Sequence, residues 1–515
     1  MFLKSSIIFA TYTFISRIFG LTRDLLVASS FGATLYADAF NVAFKLPNFF
    51  RSIFAEGAFS SAFVPLFSGK VATGDKAKAL EFAGNSLVIL TLSVTGLVAI
   101  FEVAMPLVIW LLAPGFEVDE YKVNLTIYLT RITTPYLIFI TLVTFFSCVL
   151  STFGKFSANA ASPIILNICM IAALYFFRDN PEQTATMLSW SIFIGGLLQL
   201  ITIYYVVKKR NILFKFKKPT INQDIKKLFS NMAPAVIGSG VSQINLWIGT
   251  IIATSIPGAV SLIYYADRIV QLPLALIGVS IGIVILPTLS KQAKSGNMEK
   301  YIHTQNRAIE ISLLLSLPCT VALLLISQPI IYVLFQHGAF NTQDTQNTAL
   351  ALITLSIGIP AYILNKILIP TFFAVEDTKT PVKISIFCLI LNTISNLILI
   401  NYLAHVGITL STAIVAWINI ILLFRFAIKK KLFHFDSVIK KKIIRLLVSS
   451  GLMCWYLYSI LGILDKYIYS SEIFISIITF VFTIISAAII YFIAVFVTGS
   501  YSKAELIQLY HAKID

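Results

Sequence analysis

Charge is what this 515-residue chain has least of, with only 12% Asp, Glu, Lys or Arg, about half of what a soluble domain carries. So little charge cannot cover a water-facing surface. A soluble multidomain protein is therefore excluded, although length alone would suggest three or four domains. Histidine is scarce too. His303, His337, His405, His434 and His511 fall at expected helix ends, in loops or in the tail, where no mid-membrane catalytic dyad can form. HExxH and P-loop patterns are absent. The one GxSxG string, Gly278 to Gly282, lies inside an apolar helix rather than at the strand-to-helix turn of a nucleophile elbow, and reads as small residues for close helix packing. The chain is not expected to be an enzyme. Cys148, Cys169, Cys319, Cys388 and Cys454 all lie in apolar runs without metal-ligand spacing, which argues against a disulfide framework. The start carries Arg17 and lacks a small-residue cleavage site, so it reads as a retained first helix.

Apolar residues make up 58% of the chain, 41 of them Phe, and mean hydropathy is +0.88. So much phenylalanine suits lipid-facing helices better than an interlocking core. An all-α polytopic membrane protein follows. At about 20 apolar residues per crossing, helices are expected near 5–29, 36–66, 82–112, 124–151, 158–177, 187–208 and 228–254. A second seven are expected near 260–288, 304–335, 347–374, 380–402, 405–428, 441–463 and 472–498. Fourteen helices put both termini on one side.

The net charge of +16 tests that layout. With the N-terminus in the cytoplasm, 29 Lys and Arg fall in inward loops and tails, three (Lys122, Arg178 and Lys466) in outward loops, and seven within spans. That asymmetry is the positive-inside signal. It accounts for the runs KKRNILFKFKKP and KKKLFHFDSVIKKK as topology determinants, with specific lipid binding as the other reading. No basic stripe lies on a polar, foldable segment, so nucleic acid is not an expected partner.

Short motifs recur at a nearly fixed spacing. Tyr36-Ala37-Asp38 matches Tyr265-Ala266-Asp267, Leu46-Pro47 matches Leu272-Pro273, and Pro106 and Pro135 match Pro329 and Pro360. Six helices per copy give both copies the same orientation, a parallel repeat as in some secondary transporters. The expected organisation is a six-helix lobe over 1–210, a basic cytoplasmic linker over 211–227 and a second six-helix lobe over 228–430. Two extra helices over 431–498 and a cytoplasmic tail over 499–515 complete it. Two such lobes enclose a central cavity, and rocking one against the other gives alternating access.

Ionisable groups inside spans are costly and usually line a pathway. Here Arg17, Arg23 and Asp24 lie on the first helix, Asp38, Lys45, Arg51 and Glu56 on the second, and Asp267 with Arg268 on the eighth. Asp38 and Lys45, seven apart, share a face and can pair; Arg17 and Asp24 have the same spacing. One reading is a set of mutually neutralised structural ion pairs. The other is a binding site for an anionic, phosphate-bearing substrate, favoured because four of the five cations are guanidinium groups that grip phosphate oxygens in pairs. Arg131 and Lys366 are open to either a cavity role or none, and Glu102 is expected to reach water. Pro47, Pro273 and Gly20 are bend points or packing features. Glu117, Asp119 and Glu120 form a solvated outer cluster.

The stretch SRIFGLTRDLLVASSFGATLYADAFNVAFKLPNFFRSIFAEGAFSSAFVPLFS (16–68) closely resembles the signature of the MurJ (MviN-type) lipid II flippases, of the multidrug/oligosaccharidyl-lipid/polysaccharide exporter superfamily. YYADRIVQLPLALIGVSIGIVILPTLSK (264–291) and EDTKTPVKI (376–384) continue the resemblance over nearly the whole chain. It implies movement of lipid II, the undecaprenyl-pyrophosphate-linked disaccharide-pentapeptide, from the inner to the outer leaflet of the bacterial cytoplasmic membrane. It places the family's cavity arginines on Arg17, Arg23, Arg51 and Arg268 and its acidic residues on Asp24, Asp38 and Glu56. It implies that the two extra helices form a groove for the polyprenyl tail. Gln271 stands where some members have Glu. A sodium site of some members falls on Asn245, Asn392, Asn396 and Thr412, all neutral, so sodium coupling and plain helix–helix hydrogen bonding are both open. Membrane lipid and cell-wall synthesis proteins are the further partners implied. Export of another polyprenyl-linked saccharide or an amphipathic drug, and a non-transporting scaffold for wall synthesis, are the alternatives.

Overall fold

The computed structural model describes residues 2–155, 157–210, 212, 214, 218–470, 472–501 and 505. Among these residues the chain is helical throughout, without a strand, as an apolar environment requires when every backbone group must be satisfied within its own segment. The chain divides into two compact units, 1–261 with 338–340, and 262–337 with 341–515.

The first unit opens with α1 (Phe2–Phe31) and α2 (Leu35–Phe50). A π-helical stretch, Arg51–Phe59, continues α2 into α3 (Ser60–Ala72). There follow α4 (Lys76–Leu112), α5 (Glu120–Thr133), α6 (Tyr136–Thr152), α7 (Ser157–Phe176), α8 (Pro181–Lys209) and α9 (Gln223–Ala253). Asp75, Asp119, Asn180 and Asn222 cap the starts of α4, α5, α8 and α9 by accepting from first-turn amides, the role short polar side chains play at helix N-termini. The sequence places the lobe boundary at 211–227, whereas α9 packs on the π stretch, α3 and α4 and so falls in the first unit.

Phenylalanine does more here than face lipid. Phe59, Phe63 and Phe67, at successive turns, stack with ring centroids 5.0 and 5.3 Å apart, and Phe145 packs across Phe63 at 5.2 Å. All four are fully buried. The expectation of mainly lipid-facing Phe is corrected at this point: the repeat of Phe every fourth residue makes one continuous stripe, and the stripe is core.

Pro47 sits inside α2, where its missing N–H leaves the carbonyl of Ala43 without its helical partner. Thr133 on α5 supplies that bond, Oγ1 donating to the Ala43 carbonyl at 2.9 Å. The proline is thus a seam between α2 and α5 as well as the start of the irregular stretch after it.

In the second unit, α10 (Ala259–Pro273), which begins in the first, leads through a π stretch, Leu274–Gly278, into α11 (Val279–Lys294). Then come α12 (Met298–Leu325), α13 (Ser327–Phe335), α14 (Thr342–Ile357), α15 (Ile359–Phe373), α16 (Lys379–Lys429), α17 (Ser437–Ile468) and α18 (Ile473–Val497). At 51 residues α16 is far longer than one crossing needs. It breaks at Ala404, whose φ of 49° is not helical, and folds back so that Ser411 Oγ donates to Asn392 Oδ1 at 2.9 Å. The expected break between 402 and 405 lies there. Pro318 repeats the solution seen at Pro47: the freed Leu314 carbonyl accepts from the buried Tyr491 hydroxyl of α18 at 2.8 Å. Ten helical runs among the described residues are long and apolar enough to cross a membrane, so the chain is a multi-pass membrane protein.

Candidate functional site

The charges expected near the start of the first unit are there, with partners different from those their spacing suggested. Asp38, in the first turn of α2, is 0% exposed and does not pair with Lys45. Its Oδ2 accepts from Lys122 Nζ at 2.8 Å and from the Gly258 amide at 2.9 Å. Its Oδ1 accepts from the Ser261 amide at 3.0 Å and the Ser261 hydroxyl at 2.7 Å. Lys122 was placed in an outward loop by its position between apolar runs. It lies instead in the first turn of α5, buried, with its ammonium also 3.9 Å from the centroid of Phe116. A buried carboxylate with four donors, one of them its counterion Lys122, is fixed in direction.

Backbone close approaches surround this point. Gly258 (φ +74°) comes so near α1's end that an added Cβ would lie 2.6 Å from the Ala33 carbonyl oxygen. Gly338 (φ +61°) would place a Cβ 2.4 Å from the Ser29 carbonyl oxygen, and the next amide, Ala339, donates to that oxygen at 2.7 Å. Both positions need glycine for φ and for space. Together with Asp38 they fasten the end of α1, the start of α2 and the turns at 254–258 and 338–340.

Lys45 reaches α9: it donates to Thr250 Oγ1, to the Leu246 carbonyl at 3.4 Å, and lies 5.7 Å from the Trp247 ring centroid. Asp24 is buried and pairs with its neighbour Arg23, Nη2 to Oδ1 at 2.7 Å, not with Arg17. Arg23 also donates to Asn167 Oδ1 on α7 at 3.0 Å. Arg17 is exposed on α1. Arg51, at the head of the π stretch, donates from Nε to Asn48 Oδ1 at 3.2 Å. Glu56 lies in that stretch, and its side chain is outside the described set. Glu102 is half-buried on α4, with its Oε1 out of contact with solvent.

In the second unit Arg268 of α10 lies over the Tyr264 ring, 4.4 Å from its centroid, a cation–π contact with the residue one turn earlier. A model of the lipid II flippase MurJ family matches residues 27–478. The chain belongs to the lipid II flippase MurJ family. A probable lipid II flippase MurJ of Rickettsia prowazekii (strain Madrid E) is 42% identical over 498 residues, 97% of each chain. Another, of Rhizobium tropici, is 39% identical over 442 residues, 85% of this chain and 83% of that one. Among solved structures, a lipid II flippase MurJ in an inward closed conformation matches with a TM-score of 0.81 at 27% identity, covering 98% of this chain and 100% of that one. An inward-facing MATE family transporter of the MOP superfamily matches at 0.70 and 14% identity over 84% of this chain and 99% of that one, a likeness of fold alone.

Gln271 donates from Nε2 to Asp267 Oδ1 at 3.3 Å, so an amide stands beside this carboxylate. Gly278 and Gly282 lie against the Lys366 stem, which an added Cβ would meet at 3.4 and 3.6 Å. The GxSxG string therefore admits α15 closely, as its small residues suggested. Of the sodium candidates, Asn392 already accepts from Ser411, and Thr412 donates to its own helix at the Ile408 carbonyl. Asn396 is fully buried, and Asn245 belongs to the first unit. No cluster of His, Cys, Asp or Glu able to hold a metal occurs among the described residues, and neutral oxygens alone fit a hard cation poorly.

Sequence reasoning missed Lys122, Ser261, Asn167 and Thr250. It also missed a buried ionic cluster in the second unit, where Lys442 of α17 bridges Glu310 of α12 at 2.6 Å and Glu505 at 3.0 Å, and Arg307 pairs with Glu310 and Asp436. Lys442 had been counted among basic residues of an inward loop. Its distinguishing mark was only that Glu310 is an acid inside an apolar helix.

Proposed function

We propose that this chain carries lipid II from the inner to the outer leaflet of the bacterial cytoplasmic membrane by alternating access. The observation that carries the reading is family membership over nearly the full length, at 42% identity to one relative across 97% of the chain. Fourteen crossings with both termini in the cytoplasm fit the basic loops and the division of α16 at Ala404.

Arg17, Arg23, Arg51 and Arg268 are the residues assigned to the pyrophosphate, whose paired oxygens suit guanidinium forks. Asp24 and Asn167 set the direction of Arg23. Lys45, Glu56 and Asp267 complete the charged set. The inside-negative potential favours outward transfer of the head by about 2.3 kcal/mol per charge per 100 mV. Asp38 has a different part: it latches the outer ends of α2, α5 and the 254–261 segment while the head is taken up from inside. The exposed apolar side chains of α17 and α18, among them Trp455, Ile463, Phe474 and Phe482, support a path for the polyprenyl tail. No sodium step is included, because the neutral donor set is partly occupied by internal hydrogen bonds. Cell-wall synthesis proteins are the partners such a role implies.

The test is complementation of a cell depleted of its own lipid II flippase, with outer-leaflet lipid II assayed directly. Wild type restores it, while membrane-inserted Arg17→Ala, Arg51→Ala and Arg268→Ala do not. Normal flipping by all three variants would make these charges structural and sink the cationic mechanism.

A further inference from the structure

On the first unit, away from the charged residues above, α4, α6 and α8 leave between them a groove of about 490 Å³, within the size range of ligand pockets. Its walls include Leu87 and Val88 from α4, Leu142 and Phe146 from α6, and Leu200 and Tyr204 from α8. The Thr91 hydroxyl in the wall is turned back to the Leu87 carbonyl at 2.7 Å. Such a lining offers a ligand almost nothing but apolar contact.

Basic residues stand at the α8 end of the groove. There the Ile212 amide donates to the Val207 carbonyl at 3.4 Å. Phe214 lies 5.8 and 5.9 Å from the rings of Phe145 and Phe146. Farther on, Thr220 and Asn85 of α4 bond reciprocally, at 2.7 Å from Asn85 Nδ2 to the Thr220 carbonyl and 3.0 Å from the Thr220 amide to Asn85 Oδ1. Leu200, Tyr204 and Lys208 are each one turn apart and so form a single row along α8. The row therefore passes from the groove wall to an ammonium group. Lys208, Lys209, Arg210 and Lys218 are all exposed at this end. One carboxylate, Glu81, stands two turns below Val88 on α4, which leaves the positive charge in excess.

We propose that this groove binds one anionic phospholipid of the cytoplasmic leaflet. One acyl chain lies along Leu200 and Tyr204, and the phosphate sits against Lys208, Lys209 and Arg210. The sidedness is that dictated by the basic loops. Charge complementarity selects this occupant: an apolar slot at membrane depth accepts any chain, but only an anionic head gains from a fixed basic rim.

The experiment is native mass spectrometry of the full chain in detergent, titrated with phosphatidylglycerol or phosphatidylcholine of identical acyl chains. Wild type retains phosphatidylglycerol over phosphatidylcholine by at least about fivefold, the factor one basic residue at an anionic surface supplies. The Lys208→Gln/Lys209→Gln/Arg210→Gln variant, altered only at exposed positions, loses that preference. Val88→Trp, which fills the groove, loses tight binding of both lipids. Equal retention of the two lipids by wild type, or an undiminished preference in the triple variant, overturns the proposal. Tight binding of undecaprenyl phosphate but not phosphatidylglycerol also overturns it, by giving the groove to another occupant.

Discussion

Replacing Lys122 by Met keeps most of the stem and removes the ammonium that stands 2.8 Å from Asp38 Oδ2. Asp38 keeps the amides of Gly258 and Ser261 and the Ser261 hydroxyl, but becomes a buried carboxylate without a counterion. Breaking a buried pair from one side costs about 3–5 kcal/mol, and the three remaining donors put this case near about 3 kcal/mol. Asp38→Asn offers one acceptor oxygen where each of two held a pair of donors, so the donors facing the amide nitrogen lose their partner. It also leaves Lys122 with only the Phe116 ring, a contact worth about 2 kcal/mol when desolvated. The double variant carries neither stranded charge. It is expected to be about 1–3 kcal/mol more stable than the sum of the single losses predicts. The assay is reversible unfolding of the purified protein in mixed micelles, run as a double-mutant cycle. Lys122→Met within about 0.5 kcal/mol of wild type, the range of an ordinary surface change, would refute the latch; so would strict additivity.

Tyr491→Phe strands the Leu314 carbonyl that Pro318 frees, and unfolding in the same micelles should show a loss of about 1–3 kcal/mol. Lys442→Met leaves Glu310, 2% exposed, with Arg307 as its remaining cationic partner. A loss of about 3 kcal/mol is expected, with partial recovery in Lys442→Met/Glu310→Gln. At the membrane surface, burial works to raise the Asp436 carboxyl, but the Ile439 amide and Arg307 together hold it below its ordinary value. Burial acts likewise on Asp377, and hydrogen bonds from Lys430 and Thr380 outweigh it. A depressed folded value means this stabilisation is complete above the unfolded carboxylate value, about 3.9, and is lost as pH falls through the lower folded value. The melting temperature is therefore expected to be insensitive to these two groups from pH 7 to 5 and to fall below about pH 4, less steeply in Asp436→Asn. Gly338→Ala meets the Ser29 carbonyl in a left-handed turn, and a loss of more than about 1 kcal/mol, read by thermal melting, is expected.

Helix positions were legible because each crossing needs its own apolar run, and that requirement is local. The break in α16 was legible for the same reason: 51 residues cannot serve one crossing of about 20. What stabilises the breaks was not. Pro47 and Pro318 announce themselves in the sequence, but Thr133 and Tyr491, which satisfy the carbonyls they free, lie 86 and 173 residues away. The two compact units divide after 261 rather than at the basic linker. The basic linker marks a change in the chain's course, whereas α9 belongs by packing to the helices before it.

At the charged residues, spacing along one helix was a poor guide to pairing. Asp38 and Lys45 share a face, and so do Arg17 and Asp24, yet neither pair forms. Two turns separate each pair, about 10 Å, beyond direct contact for these side chains without bending. A neighbouring helix at 8–10 Å offers partners at better angles. Lys122 and Thr250 are such partners, and each is a residue that hydropathy alone assigns to a loop or a span without function. The repeat held a sharper clue than the spacing did. The motif shared by residues 36–38 and 265–267 gives each unit one Tyr-Ala-Asp, but their acids have diverged in environment: Asp38 is sealed with four donors, while Asp267 is half-buried and bonded to a neutral Gln271. A carboxylate so fully satisfied has no acceptor capacity to spare for a substrate's donors and no charge free to repel its phosphates. Asp38 therefore fits a latch better than a binding contact, and the arginines remain the candidates for the anionic head.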